Sequence, residues 1–279
     1  MNIGVSSYSF AKMKKSHAET VALAKELGFA SIEFSGNMDL EAAKRLRDVC
    51  EAAQMPATNY AIWADFLMAT DFNAEVERLF KEVDVAAALG VKTMRHDASG
   101  GFTAPANKIN SFDQALPILA KGCRLVTEYA ATKGVVTTIE NHGRFCQDSL
   151  RVASLIGAVN HPNFGALVDI GNFLCVDEDP AVASGNLAPM ARHVHAKDFH
   201  FKPGSGDNPG EGWFISRAGN FLRGSIIGHG VVPVRQCLEN LRRAGYDGTV
   251  SIEFEGMEEN MEALRIGRKN LEAIVRQFA

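Results

Sequence analysis

Gly134-Val135-Val136-Thr137-Thr138-Ile139-Glu140 reads as a glycine, then a β-branched run, then a carboxylate. The glycine fits the close of a preceding helix, and the run fits a short strand. The same beat of helix, glycine and strand returns along the chain. Gly28 precedes Phe29 to Phe34, Gly90 precedes Val91 to Arg95, and Gly245 and Gly248 precede Thr249 to Phe254. Asn2 to Ser7, Ala57 to Ala61, Phe164 to Asp169 and His193 to Lys197 complete eight predicted strands, separated by helical stretches. Eight such units predict an α/β fold, a single (βα)8 TIM barrel with parallel strands that occupies residues 1–279 as one domain. A doubly wound open sheet shares the alternation, but its glycine-rich turn after the first strand is absent from Ser6 to Lys15.

Size and composition agree with this reading. The chain has 279 residues, 46% hydrophobic and 22% charged, which suits a globular protein with a sizeable core. The formal charge is −4, and no basic run is long enough to follow a phosphate backbone; Lys12, Lys14 and Lys15 read as solvated surface. No nucleic-acid partner is therefore expected. Cys50, Cys123, Cys146, Cys175 and Cys237 are odd in number and widely spaced, as reduced thiols would be. Neither a signal peptide nor a bilayer-length apolar run is recognisable, so a cytoplasmic location without membrane contact is expected. Phe201 to Gly230 is a long glycine-rich connection after the seventh strand, readable as a lid or as a surface excursion.

Polar residues gather at the strand ends, where a barrel enzyme places its reactive groups. The fifth strand ends in Glu140, Asn141 and His142, and the sixth in Asp169. The seventh reads His193-Val194-His195-Ala196-Lys197-Asp198, and the eighth ends in Glu253, Phe254 and Glu255. Alternation turns Glu140, His195 and Glu253 inward. Three carboxylates brought together repel by about 4 kcal/mol per pair at 4 Å and an effective dielectric of 20, which a divalent cation would relieve. Oxygen ligands with one imidazole suit Mn²⁺, Mg²⁺, Co²⁺ or Zn²⁺. Each acid taken alone reads first as a salt-bridge partner or helix cap; it is their gathering on successive strands that points to a metal.

At these residues the chain resembles the xylose isomerase-like TIM barrel superfamily, in particular its sugar phosphate isomerase/epimerase branch. The resemblance covers nearly the whole chain and rests on Glu140-Asn141-His142, Asp169 with Gly171 and Asn172, His195 with Lys197 and Asp198, and Glu253. It implies one divalent metal, Mn²⁺ first, held by Glu140, Asp169, His195 and Glu253, with Glu140 and Glu253 doubling as the catalytic acid/base pair. It also implies proton abstraction through a metal-stabilised enediolate of a sugar or polyol, in an enzyme that often forms homo-oligomers. Ketose 3-epimerases carry Glu, His and Arg where this chain has Cys146, Asn172 and Phe201, which argues for a different keto-sugar, sugar phosphate or cyclitol.

Other residues carry two readings each. Glu33 ends Ser31-Ile32-Glu33-Phe34, which recurs as Ser251-Ile252-Glu253-Phe254, so it is expected at the barrel mouth as a substrate ligand or as support for one. Lys197 is expected to hold a substrate oxygen, or to pair with Asp198 or Glu253. Asn172, His142 and Trp63 complete the predicted substrate contacts, with Trp63 supplying an apolar wall. The leading function is isomerase or epimerase. A keto-sugar or inosose dehydratase would use the same site, while an abasic-site endonuclease or a non-catalytic sugar-binding barrel fits less well.

Overall fold

The computed structural model describes residues 1–100, 109, 111–143 and 145–278. Seven strands and their helices appear in the expected order: β1 (Asn2–Ser6), α1 (His17–Glu26), β2 (Ser31–Ser35), α2 (Leu40–Ala53), β3 (Ala57–Ile62), α3 (Phe72–Leu89), β4 (Thr93–His96), α4 (Phe112–Thr132), β5 (Val136–Glu140), α5 (Ser149–Val159), β6 (Phe164–Asp169), α6 (Pro180–Leu187) and β7 (Ala191–Ala196). Three short strands follow, β8 (Asp198–Lys202), β9 (Phe214–Ile215) and β10 (Phe221–Ser225). Then α7 (Val234–Arg243), β11 (Thr249–Ile252) and α8 (Asn260–Val275) finish the cycle. Strands β1 to β7 and β11 close into a parallel barrel in the order β1-β11-β7-β6-β5-β4-β3-β2.

Local chemistry explains the beat. Ser16 and Glu19 form a reciprocal capping box at the start of α1, and Asp71 accepts from Asn73 and Ala74 N–H at the start of α3. Gly90 closes α3 in the left-handed region at φ 83°, a conformation that Cβ-bearing residues adopt only at a cost. Helix faces such as Ala43, Leu46 and Cys50 of α2, spaced by three and four residues, are buried on the barrel wall.

The connection after β7 is not an open excursion. β8 and β10 pair antiparallel, Asp198 opposite Ser225 and Lys202 opposite Phe221, and β9 adds to β10. Phe199 and Leu222 of this sheet bury against Cys175. One carboxylate organises its return: Asp198 accepts from the N–H groups of Phe199, Gly228, Gly230 and Val232. All five cysteines are free and buried. Among the described residues no helix is long and apolar enough to cross a membrane.

Candidate metal centre and active site

Strand register decides which side chains meet. Asp169 lies directly across from His195, and His195 from Ser251. Glu253 follows Ser251 by two residues and faces the same interior one step nearer the mouth. Its N–H donates to Ala196 O, which holds it beside β7. Glu140, Asp169, His195 and Glu253 each offer one ligand atom, all within 4.8 Å of one another. His195 Nδ1 stands 3.6 Å from Glu140 Oε1 and 3.8 Å from both Asp169 Oδ2 and Glu253 Oε2.

These spacings suit one cation, since ligand atoms about 2.0–2.4 Å from a shared ion stand roughly 3–4.5 Å apart. Two further facts support the fit. His195 Nδ1 and Asp169 Oδ2 are buried without a hydrogen-bond partner, a condition that costs about 1–3 kcal/mol for each group. The other polar atoms of Asp169 are already tied down. Asp169 Oδ1 accepts from Gly171 and Asn172 N–H, and the Asn141 amide both donates to Asp169 O and accepts from Asp169 N–H. The residues present therefore fit a divalent ion.

The surrounding charges are paired across the cluster. Lys197 Nζ lies 2.6 Å from Glu253 Oε2, 3.3 Å from Asp169 Oδ2 and 3.5 Å from Glu255 Oε1. Asp198, the other acid predicted beside it, is occupied with backbone N–H groups. Burial alone would lower the Lys197 pKa, but these carboxylates raise it well above the ordinary lysine value. Asp169 is pushed up to about 6, first by burial and further by Glu140 and Glu253 against the pull of Lys197. Glu140 is held well below the carboxylate range despite its burial, because Arg95 Nη2 sits 2.6 Å from Oε2.

A cavity of about 510 Å³ opens above the cluster. Glu140, His195, Glu253, Lys197, His142 and Trp63 all line it, with Trp63 58% exposed. Asn172 is buried instead, donating to Glu140 Oε1 at 3.1 Å while its Oδ1 accepts from Lys197 at 3.2 Å. Glu33 lies outside the cavity lining. It is fully buried, with Oε2 2.6 Å from His193 Nε2 and Oε1 2.7 Å from His195 Nε2. The expectation that it stands at the mouth is corrected by its surroundings: Ser31-Ile32 and Ser251-Ile252 take the same partners on β1, Gly4 and Val5, yet Glu33 is enclosed by His193 and His195 while its counterpart Glu253 lines the cavity. Cys146 is buried, and Phe201 is exposed on β8.

Sequence reasoning missed Arg95 and Asp97. Arg95 bridges Glu140 and Asp97, and Asp97 Oδ1 lies 3.1 Å from His142 Nδ1. Both line the cavity. The available signal was Val91-Lys92-Thr93-Met94-Arg95-His96, where an arginine in phase with Thr93 is carried into the barrel interior.

A family model described as "Xylose isomerase-like TIM barrel" matches residues 21–274. The chain belongs to this family. A relative, the inosose dehydratase of Lacticaseibacillus casei, is 22% identical over 202 residues, covering 69% of this chain and 67% of its own. The structure of 3-keto-D-glucoside 4-epimerase, YcjR, from E. coli superposes with a TM-score of 0.75 at 17% identity, over 98% of this chain and 99% of that one. The IOLI protein with a bound zinc atom gives a TM-score of 0.77 at 15% identity, over 100% and 99%. At these identities the structural likenesses establish the barrel fold alone.

Proposed function

We propose that this protein is a divalent-metal-dependent enzyme that moves a proton next to the carbonyl of a small polyhydroxylated substrate, a keto-sugar, sugar phosphate or cyclitol. The observation that carries the reading is the convergence of four ligand atoms, two of them buried without hydrogen-bond partners, beneath a cavity of about 510 Å³. Glu140, Asp169, His195 and Glu253 would hold the ion, with Mn²⁺ the first choice for an oxygen-rich set. When bound, it would polarise the substrate carbonyl and acidify the neighbouring C–H.

The chain's own groups divide the remaining work. Glu253, partly exposed to the cavity and paired with Lys197, is the base that removes the proton. Lys197 is placed to take up the charge that develops on the substrate oxygen. Glu140 is less suited to proton transfer than its family role implies, because Arg95 and Asn172 hold both of its oxygens. Trp63 and Tyr8 shield the reacting centre from water.

The leading outcome is isomerisation or epimerisation, in which the proton returns to the substrate. A second reading, dehydration, is favoured by His142: with Nδ1 on Asp97 and its ring lining the cavity, it is a proton donor available to a leaving hydroxyl. Curated relatives that are inosose dehydratases agree with that outcome. Incubating the Mn²⁺-loaded protein in D₂O with keto-sugars and inososes separates the two. Deuterium in a carbohydrate product of unchanged formula supports isomerase or epimerase; an enone absorbance with loss of water supports dehydratase; the absence of both across the panel counts against the proposal.

A further inference from the structure

Directly beneath the cluster lies a group that neither touches the cavity nor belongs to the four-ligand set. Glu33 on β2 is 0% exposed, a costly place for a carboxylate unless its charge is engaged. Both oxygens face imidazoles from β7: Oε2 bonds His193 Nε2 at 2.6 Å, and Oε1 makes an ion-pair contact with His195 Nε2 at 2.7 Å, neither of these last two atoms having another partner among the described residues. His193 is held in turn by Ser251 Oγ at 3.3 Å from β11. Three strands thus fix the side chain behind His195, while the opposite ring nitrogen of His195 faces Glu140, Asp169 and Glu253.

An imidazole binds a metal through a nitrogen that carries no proton, and the neutral ring has one such nitrogen. Which nitrogen that is depends on what the other one meets. We infer that Glu33 is the positioning residue of the metal centre: its Oε1 keeps the proton of His195 on Nε2, so that Nδ1 is presented, unprotonated and correctly turned, to the three carboxylates. The assignment rests on the metal reading proposed above and adds a division of labour to it. Glu33, although a member of a second acid–histidine cluster with His193 and His195, is not itself a ligand. Glu33 does not line the cavity, and its two oxygens face ring nitrogens rather than the Glu140, Asp169 and Glu253 carboxylates.

The test uses the full chain with Zn²⁺, a diamagnetic probe, and Co²⁺, a coloured one. In long-range ¹H–¹⁵N spectra of histidine-labelled wild type loaded with Zn²⁺, His195 is expected to carry its proton on Nε2 and to show a metal-shifted Nδ1. Glu33→Gln is expected to weaken Co²⁺ binding by about 10- to 100-fold, the usual effect of losing a carboxylate behind a ligating histidine, and to alter the Co²⁺ visible spectrum. Glu33→Asp, which keeps the charge on a shorter arm, recovers part of the affinity. If Glu33→Gln does not fold, the wild-type spectrum alone decides. A Zn²⁺-loaded protein with Nε2 ligated, or a Glu33→Gln variant with unchanged Co²⁺ affinity and spectrum, overturns the assignment and leaves the four-ligand site standing. Failure of the wild type to bind either metal overturns the site itself, and the role of Glu33 with it.

Discussion

Each residue in the cluster is defined by what holds its second atom. Asp169 uses Oδ1 on two backbone N–H groups and leaves Oδ2 without a hydrogen bond, 3.3 Å from Lys197 Nζ, whereas Glu140 has both oxygens gripped by Arg95 and Asn172. Removing this carboxylate and removing the proposed base, Glu253, are therefore expected to have separable effects. Asp169→Asn is expected to weaken Mn²⁺ binding by at least tenfold, measured by calorimetry. Glu253→Gln is expected to cost about 10²- to 10⁴-fold in proton exchange, the range of a positioned base, with a smaller loss of metal. His142 supplies a pH signature. Burial alone would lower its pKa, but Asp97 outweighs burial and raises it. A raised pKa means that the folded state binds the proton more tightly. The stabilisation is present in full below the ordinary histidine value of about 6.5 and fades as pH rises through the raised value. Urea unfolding of the metal-free protein is therefore expected to show wild type more stable than His142→Asn at pH 5.5, with the difference shrunk by pH 8.5. A gap that widens with pH would contradict the Asp97–His142 pairing.

At the scale of elements, the barrel strands were legible because period-two apolar runs and helix-closing glycines leave a local trace. Phe164 to Asp169 and Val136 to Glu140 fall where that pattern puts them. The antiparallel sheet β8-β10-β9 left little trace, since its strands are short, and the chain's return after β10 is held by Asp198 on the Gly228 and Gly230 N–H groups rather than by a run of strand formers. The surroundings of Glu33 and Glu253 were also hidden. Identical tetrapeptides with the same partners on β1 leave one enclosed by His193 and His195 and the other lining the cavity, because neighbouring strands, not local sequence, set what each side chain meets. Arg95 was passed over for a related reason: an arginine inside a strand has no meaning until the register brings Glu140 beside it. Asp198→Ala tests the organisation of the small sheet. Leaving the Gly228, Gly230 and Val232 N–H groups without their acceptor is expected to destabilise the fold by about 2–4 kcal/mol in denaturant unfolding. A change below about 0.5 kcal/mol would mean that other acceptors replace it.

For the whole molecule, the proposed quartet of Glu140, Asp169, His195 and Glu253 would couple folding to metal, because these residues come from four β-strand regions and meet only in the closed barrel. Mn²⁺ at a hundred times its dissociation constant should stabilise the fold by about 2.7 kcal/mol. For a chain of this size that is a rise of roughly 5–10 °C in Tm. The same cation in Asp169→Asn should give a much smaller rise at equal concentration. The central claim is that this cluster holds one metal and uses Glu253 to move a substrate proton, and it is tested most directly by one paired measurement: metal content of the Mn²⁺-reconstituted protein, with solvent deuterium exchange into a keto-sugar and inosose panel for wild type and Glu253→Gln. About one metal per chain, with exchange in the wild type that Glu253→Gln abolishes, is the result this account predicts. A protein that retains no metal and exchanges no proton, or one whose exchange survives Glu253→Gln undiminished, would contradict it.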